Sequence, residues 1–282
     1  MSLEQVSVSY CFGGQQFRYK HVSAVLSCEM YFSVFMPAGA NEKTPVVYFL
    51  SGLTCTDENF VQKAGAQRIA AELGLVIVTP DTSPRGASVP DAPDAAYDLG
   101  LGAGFYLNAI QEPWRAHYQM YDYIVHELPA LLESTLAVNH QRRSICGHSM
   151  GGHGALTIAL RNPDRYCCVS AFAAIVAPSD CPWGQKAFRN YLGEDRALWG
   201  LYDATQLVAN AETQIPILLD QGLADQFLQE QLHTHRFLAA SAAANYPVEY
   251  RARDGYDHSY FYIATFIEEH LRFHASHLRK QD

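Results

Sequence analysis

Short apolar runs alternate with longer amphipathic stretches along most of the chain. Six of the runs have the length and composition of strands buried on both faces of a sheet. They are Val46–Leu50, Leu75–Thr79, Arg143–Cys146, Cys167–Ala173, Ile215–Leu219 and Val248–Ala252. Helical spacing of apolar residues marks five other stretches. These are Asn59–Leu73, Tyr118–Leu132, Ser149–Leu160, Asp225–Ala244 and Tyr260–His277. The alternation predicts an α/β fold with a mostly parallel sheet and helices on both faces.

The first 40 residues follow a different pattern, in which aromatic and β-branched residues alternate with polar ones. Met30–Met36 is the clearest example, and it predicts a leading antiparallel strand in a mixed sheet. Residues 81–117 are irregular, and residues 178–213 are expected to form an excursion with short helices near the functional site. Because the chain has no internal repeat and no long linker, we expect one domain over residues 1–282.

Composition and charge exclude several classes of protein. Hydrophobic residues make up 49 % of the chain and charged residues 17 %, as in a globular protein. The formal net charge of −9 argues against nucleic acid and anionic membrane as partners. No apolar run approaches the roughly 18–20 residues that span a bilayer. The seven cysteines include no CxxC pair and the N-terminus lacks a signal-peptide pattern, so we expect a cytoplasmic protein with reduced thiols.

Neither a metal site nor a cofactor site is expected. The histidines and cysteines never fall at metal-ligand spacing. The glycine-rich segment Gly100–Gly104 follows no predicted strand, so we expect it to line a substrate cleft rather than to cradle a phosphate.

The strongest local signal is Gly147-His148-Ser149-Met150-Gly151, a G-x-S-x-G motif between a predicted strand and a predicted helix. This context is that of a nucleophile elbow, a tight turn that exposes the serine hydroxyl at the end of the sheet. The simpler interpretation is a chance match in which Ser149 caps the helix. The strand–motif–helix order favours Ser149 as a catalytic nucleophile.

A serine nucleophile needs a histidine base and an orienting carboxylate, which follow it in the order acid, then histidine. His258 lies just after the last predicted strand, where the base is expected. Five other histidines lie in predicted helices and are weaker candidates: His233, His235, His270, His274 and His277. For the acid, Asp225 is preferred over Asp220, which sits at the end of its strand. Asp225 also suits the N-cap of the helix after it, and the two roles are compatible.

The loop after Val46–Leu50 is expected to supply one oxyanion donor, the Leu53 backbone N–H, because Gly52 permits an unusual backbone conformation. The Met150 N–H is expected to be the other donor. An ordinary strand-to-helix turn is the alternative for this loop. Cys55 lies in the same loop and is a substrate-pocket candidate rather than a nucleophile, because nothing around it resembles an elbow.

With these motifs placed, the chain resembles the S-formylglutathione hydrolase family, also called esterase D. The resemblance runs in family order over nearly the whole chain. It is carried by Leu50–Phe60, Gly104–Ala109, Gly147–Leu156, Gly222–Leu228 and Gly255–Tyr260. It implies an α/β-hydrolase fold and hydrolysis of the glutathione thioester S-formylglutathione, the last step of formaldehyde detoxification.

The resemblance also implies a triad of Ser149, Asp225 and His258, with Leu53 and Met150 as oxyanion donors. It further implies a cysteine close to the active serine at Cys55, and a homodimer. Because a formyl group is small, a bulky residue should close the acyl pocket, and Trp183 and Met150 are the candidates. A general short-chain carboxylesterase or acyltransferase with the same triad is the alternative function.

Overall fold

The computed structural model describes residues 3–136 and 138–279. In this part of the chain, nine strands form one sheet. They are β1 Leu3–Cys11, β2 Gly14–Ser23, β3 Cys28–Met36, β4 Pro45–Leu50, β5 Val76–Pro80, β6 Asn139–His148, β7 Val169–Phe172, β8 Ile217–Gly222 and β9 Val248–Arg253. The α-helices are α1 Asp57–Lys63, α2 Ala66–Leu73, α3 Met120–Asp122, α4 Leu128–Thr135, α5 Met150–Arg161, α6 Pro182–Leu192, α7 Arg196–Gly200, α8 Ala204–Ala209, α9 Thr234–Ala243 and α10 Tyr260–Leu278.

The sheet is mixed, with the strand order β1-β2-β3-β5-β4-β6-β7-β8-β9. Pairing is antiparallel from β1 through β3 to β5 and parallel from β5 to β9. The predicted arrangement of leading antiparallel strands and a parallel remainder is confirmed. β4 is the first strand of the parallel part in chain order, and it lies between β5 and β6 in the sheet. In such a sheet, ligands bind beyond the carboxyl ends of the strands where the strand order reverses.

Helices cover both faces of the sheet. Helix α10 packs against α2 and contacts β6, β7 and β8, while α5 packs against α8 and contacts β4, β6 and β7. Strands β6 and β7 are thus sandwiched between α5 and α10, which explains their buried, apolar sequences. None of the helices in the described ranges combines the length and the apolar character that crossing a bilayer requires.

Two predicted helices are each divided in the structure. The stretch 59–73 becomes α1 and α2, because Gly65 adopts a left-handed conformation with φ 65°. The stretch 225–244 becomes a π-helical turn at Leu228–Leu232 followed by α9, with His233 left-handed at φ 53° between them. The prediction of single helices was wrong in both places, because apolar spacing continues across a residue whose backbone breaks the helix.

The other helices agree more closely with the predictions. The stretch predicted at 118–132 spans α3, a π-helical segment at Tyr123–Glu127 and α4, which follow one another without a gap. The expected excursion contains a 3₁₀ turn at Pro178–Asp180 and the short helices α6, α7 and α8.

Besides His21 of β2, four of the described histidines are buried, and burial lowers the pKa of each. His270 and His274 project from α10 and both hydrogen-bond the Ser170 hydroxyl of β7, at 2.9 and 2.8 Å. The Nε2 of His153 donates to the Phe105 carbonyl at 2.9 Å, and burial lowers the pKa of His153 to about 4. The fourth, His148, lies at the functional site. These side chains fold as neutral imidazoles.

We expect the free energy of unfolding to fall as the pH is lowered from 6 to 5. The unfolded chain binds a proton on each histidine below the ordinary pKa of 6.5, and the folded chain does not bind one on His153 until about pH 4. His153 therefore contributes a slope of about 1 kcal/mol per pH unit. Urea unfolding of His153→Gln, whose amide still donates to Phe105, should show a slope smaller by that amount. The exposed control His235→Gln should match the wild type, and equal slopes for all three proteins would contradict the expectation.

Candidate active site

A one-residue turn joins β6 to α5. β6 ends at His148 and α5 begins at Met150, so Ser149 alone makes the turn, at φ 58° and ψ −120°. Such a conformation is strained for a residue with a side chain, and strain of this kind concentrates at functional sites. The Ser149 side chain makes no capping hydrogen bond to α5, so the interpretation of this serine as a helix cap is not supported.

Glycines flank the turn because backbone atoms touch there. A Cβ added at Gly147 would lie 2.0 Å from the Gly151 carbonyl oxygen, and one at Gly151 would lie 1.9 Å from the Leu50 carbonyl oxygen. Real atoms do not approach so closely, so these positions exclude every other residue type. The motif is therefore the nucleophile elbow predicted from the sequence.

The Asp225 carboxylate and the His258 imidazole form the second part of the site. Oδ2 of Asp225 lies 2.5 Å from Nδ1 of His258. Oδ1 accepts a hydrogen bond of 2.8 Å from the Phe227 N–H, so the carboxylate also organises the turn after β8. Asp225 is not the N-cap that the sequence suggested, because the π-helical turn begins only at Leu228 and no side chain among the described residues caps it. An aspartate bonded to Nδ1 fixes the tautomer that leaves Nε2 able to accept a proton.

Asp220, the rejected alternative for the acid, has a structural role. Its buried carboxylate accepts hydrogen bonds from both Nε and Nη2 of Arg253 and one of 2.7 Å from the Tyr262 hydroxyl. Burial alone would raise the pKa of Asp220, but the nearby His270 imidazole and the hydrogen bonds from Arg253 outweigh it and leave the pKa lowered. Asp220 therefore ties β8 to β9 and α10.

A cleft of about 330 Å³ brings the two parts of the site together. Ser149 and His258 both line it, as do Leu53 and Cys55 from the loop after β4 and Trp183 from the excursion. Asp225 lies behind His258, away from the cleft lining. The predicted triad residues therefore meet at the carboxyl edge of the sheet.

His148 was considered only as a base and set aside, because it is too close in sequence to Ser149 to reach round the elbow; its contact with His258 was not anticipated. Its ring centroid lies 4.5 Å from that of His258, and it lines the cleft. Within the described residues, neither ring nitrogen has a hydrogen-bond partner. Burial, and secondarily the neighbouring His258, hold the pKa of His148 well below its usual range. Because His148 is neutral, it does not repel the positive charge that His258 acquires when it gains a proton.

The loop after β4 runs directly over the elbow. A Cβ at Gly52 would lie 3.0 Å from Cβ of Ser149, so Gly52 is needed for close approach. The left-handed residue is instead Thr54, at φ 67°, which corrects the expected reason for the glycine. Among the described residues, the N–H groups of Leu53 and Met150 donate to no backbone carbonyl or side chain. Both donors remain available to an oxyanion.

The glycine-rich segment Gly100–Gly104 supports that loop instead of lining the cleft, contrary to expectation. The Thr54 N–H donates to the Gly102 carbonyl at 2.9 Å. Of the irregular residues 81–117, Tyr97 is the one that lines the cleft, and its hydroxyl accepts a 2.9 Å hydrogen bond from Nε1 of Trp183.

The pocket candidates differ in their placement. Trp183 packs on Phe227, with centroids 4.7 Å apart, and the rings of Phe227 and His258 are nearly perpendicular with centroids 5.0 Å apart. Met150, by contrast, has a fully buried side chain and does not line the cleft, so it is not the bulky residue of the pocket. Burial raises the pKa of the Cys55 thiol. The sequence analysis did not identify Phe227 as a residue of the cleft, although it lies only two residues after Asp225.

Across residues 3–136 and 138–279, no three His, Cys, Asp or Glu side chains come together in a way that could hold a metal ion. What the site offers is a serine on a strained turn, an aspartate-oriented histidine and two free backbone N–H groups.

The fold and this site define a serine hydrolase of the α/β-hydrolase class. The Esterase family, described as "Putative esterase", matches residues 23–273. An S-formylglutathione hydrolase of Mus musculus is 52 % identical over 281 residues, which cover 99 % of each chain. The chain belongs to the S-formylglutathione hydrolase family, as the motifs predicted.

Solved structures agree with this assignment. An S-formylglutathione hydrolase from Agrobacterium tumefaciens superimposes with a TM-score of 0.94 at 49 % identity, covering 97 % of this chain and 99 % of that one. The fluorophosphonate-binding serine hydrolase F from Staphylococcus aureus has a TM-score of 0.74 at 19 % identity, covering 93 % and 98 %, and shares the fold.

Substituting Asp225 by Asn should lower kcat for p-nitrophenyl acetate by about 10³- to 10⁴-fold, because an amide stabilises neither the required tautomer nor the imidazolium. Asp254→Asn, at an exposed aspartate near His258, is the matched control and should stay within about twofold of the wild type. Steady-state hydrolysis by folded variants, checked by circular dichroism, measures the effect. An Asp225→Asn enzyme with more than a tenth of the wild-type kcat would rule out this aspartate as the orienting acid.

Proposed function

We propose that this chain hydrolyses S-formylglutathione to formate and glutathione through a formyl ester on Ser149. The observation that carries the proposal is the strained turn, which holds the Ser149 hydroxyl, free of any capping role, in the same cleft as His258. Membership of the S-formylglutathione hydrolase family supports the choice of substrate.

In the first half-reaction, Oγ of Ser149 attacks the thioester carbonyl carbon and His258 takes the hydroxyl proton at Nε2. Asp225 holds the imidazole by Nδ1 and stabilises the imidazolium that forms. The tetrahedral intermediate then collapses, the C–S bond breaks, and the departing glutathione sulfur takes the proton from His258, which is neutral again. A thiol leaves with less need of protonation than an amine, because its ordinary pKa is only about 8.5.

In the second half-reaction, His258 takes a proton from a water molecule, whose oxygen attacks the formyl carbon. The C–Oγ bond breaks, Ser149 regains the proton, and formate leaves. In both halves the N–H groups of Leu53 and Met150 hold the negative charge on the former carbonyl oxygen. Each such donor contributes about 100- to 1000-fold to kcat.

The cleft suits a small acyl group. Trp183, hydrogen-bonded to Tyr97, packs on Phe227, which contacts His258, and both rings line the cleft. The bulk of this aromatic wall supports a preference for formyl over longer acyl chains. A general short-chain esterase would use the same residues and differ only in that wall.

We further propose that the enzyme is a single-domain homodimer of the cytoplasm. The family resemblance and the edge strand β1 support the dimer, since β1 exposes Val6, Val8 and Tyr10. The seven free thiols suit a reducing compartment. Light scattering should return twice the chain mass of 31.4 kDa, and a monomer mass would contradict the dimer.

The purified protein should hydrolyse S-formylglutathione with a kcat/KM at least tenfold above that for S-acetylglutathione, since longer acyl groups meet the aromatic wall. One additional methylene or methyl group in a closed pocket changes kcat/KM by about 10- to 200-fold. Trp183→Ala should raise the relative rate with the acetyl thioester. A wild-type preference for acetyl or longer groups would establish a general esterase instead.

A further inference from the structure

The cleft contains one permanently charged side chain. Lys63, the last residue of α1, lines it, and no aspartate or glutamate among the described residues does so. The whole chain carries a net charge of −9, so a cationic cleft is a local exception rather than a consequence of composition. A site with this charge favours an anionic ligand.

Lys63 is also unpaired. Lys20 and Lys186 form ion pairs with glutamates and an aspartate, whereas Lys63 forms none with any carboxylate in the described part of the chain. Its Nζ lies 5.5 Å from the centroid of the Tyr260 ring, which lines the same cleft. The aromatic face holds the ammonium over the cleft without neutralising it.

Asn59 adds a second donor one turn earlier on α1. It lies four residues before Lys63, so both side chains share one face of the helix. The Oδ1 of Asn59 accepts a hydrogen bond of 2.9 Å from the Thr56 N–H and one of 3.3 Å from the Thr56 hydroxyl. This capping bond fixes the orientation of the amide, and its Nδ2 donates to no acceptor among the described residues. Asn59 also lines the cleft.

We propose that Lys63 and Asn59 form a carboxylate subsite that binds the glycine carboxylate of the glutathione moiety. The inference rests on the proposed function, because it concerns the leaving group of that substrate. An ammonium and an oriented amide N–H₂ together match the two oxygens of a carboxylate.

Glutathione has two carboxylates, and the composition of the cleft distinguishes them. The γ-glutamyl carboxylate stands beside an α-ammonium, which would lie close to Lys63 and repel it. No acid lines the described cleft to pair with that ammonium. The glycine carboxylate is a lone anion, so it gains the full attraction of Lys63.

The subsite should act on binding rather than on the chemical step. It contacts a part of the substrate that does not change charge in the transition state, so losing it raises KM and leaves kcat nearly unchanged. Because Lys63 is exposed, solvent screening limits the effect to about three- to tenfold.

Two variants remove the donors while preserving the fold. Lys63→Met removes the charge and keeps the length of the side chain. Asn59→Asp keeps the oxygen that caps α1 and replaces the free amide donor by an acceptor that repels a carboxylate. Lys63→Arg retains the charge. Lys43→Met is the matched control, since Lys43 is an exposed, unpaired lysine before β4, away from the cleft.

The measurement compares KM and kcat for S-formylglutathione and for the same thioester with its glycine carboxylate converted to an amide. With S-formylglutathione, Lys63→Met and Asn59→Asp should each raise KM three- to tenfold, while Lys63→Arg and Lys43→Met stay within twofold. With the amidated thioester, the wild-type KM should already be raised, and Lys63→Met should add nothing further, as in a double-mutant cycle.

Two outcomes would overturn the inference alone: an unchanged KM for Lys63→Met, or an equal rise with both thioesters. If the wild type turns over p-nitrophenyl acetate but neither thioester, the proposed function fails, and the inference fails with it. The two failures are therefore distinguishable by the wild-type rates.

Discussion

The whole site depends on backbone atoms in contact at one crossing, where the β6–α5 turn meets the carboxyl end of β4. Gly147 and Gly151 leave no room for a methyl group there. Both neighbours are held this closely, and Ser149 makes the reversal between strand and helix at a positive φ of 58°. The same contact brings the loop after β4 over the serine. The turn at Ser149 thus places the serine hydroxyl beside the loop that contains Leu53.

The two aspartates near the end of β8 have different roles because they have different hydrogen-bond partners, not because of their positions in the chain. Asp220 and Asp225 are five residues apart, yet Asp220 is held by Arg253 and Tyr262 within the fold, while Asp225 faces His258. The first carboxylate stabilises the junction of β8, β9 and α10, and the second is free to orient a base. The ion pair secures the strand, and the hydrogen bond from the Phe227 N–H to the Asp225 carboxylate helps to fix the loop after it.

The mixed, mostly parallel sheet, the elbow and the pairing of Asp225 with His258 could be predicted from the sequence, because each depends on a local pattern or on the order of residues along the chain. The sequence did not allow the helix break at His233 to be predicted, since this residue adopts a left-handed conformation that no glycine signals. The other break lies at a glycine, Gly65, but the apolar spacing continues across it. The placement of His148 against His258 and the wall formed by Tyr97 and Trp183 depend on contacts between remote segments. Asn59 and Lys63 did carry a signal in the sequence, because they are four residues apart on the helix that directly follows the loop after β4.

The central claim is that the Ser149 hydroxyl is the nucleophile, and covalent labelling tests it most directly. A fluorophosphonate probe should modify the wild type once, with the adduct on the peptide that contains Ser149 by mass spectrometry. Ser149→Ala should not be labelled, and His258→Ala should be labelled at least 100-fold more slowly, since the base is lost. Labelling of the wild type at another residue, or undiminished labelling of Ser149→Ala, would contradict the account.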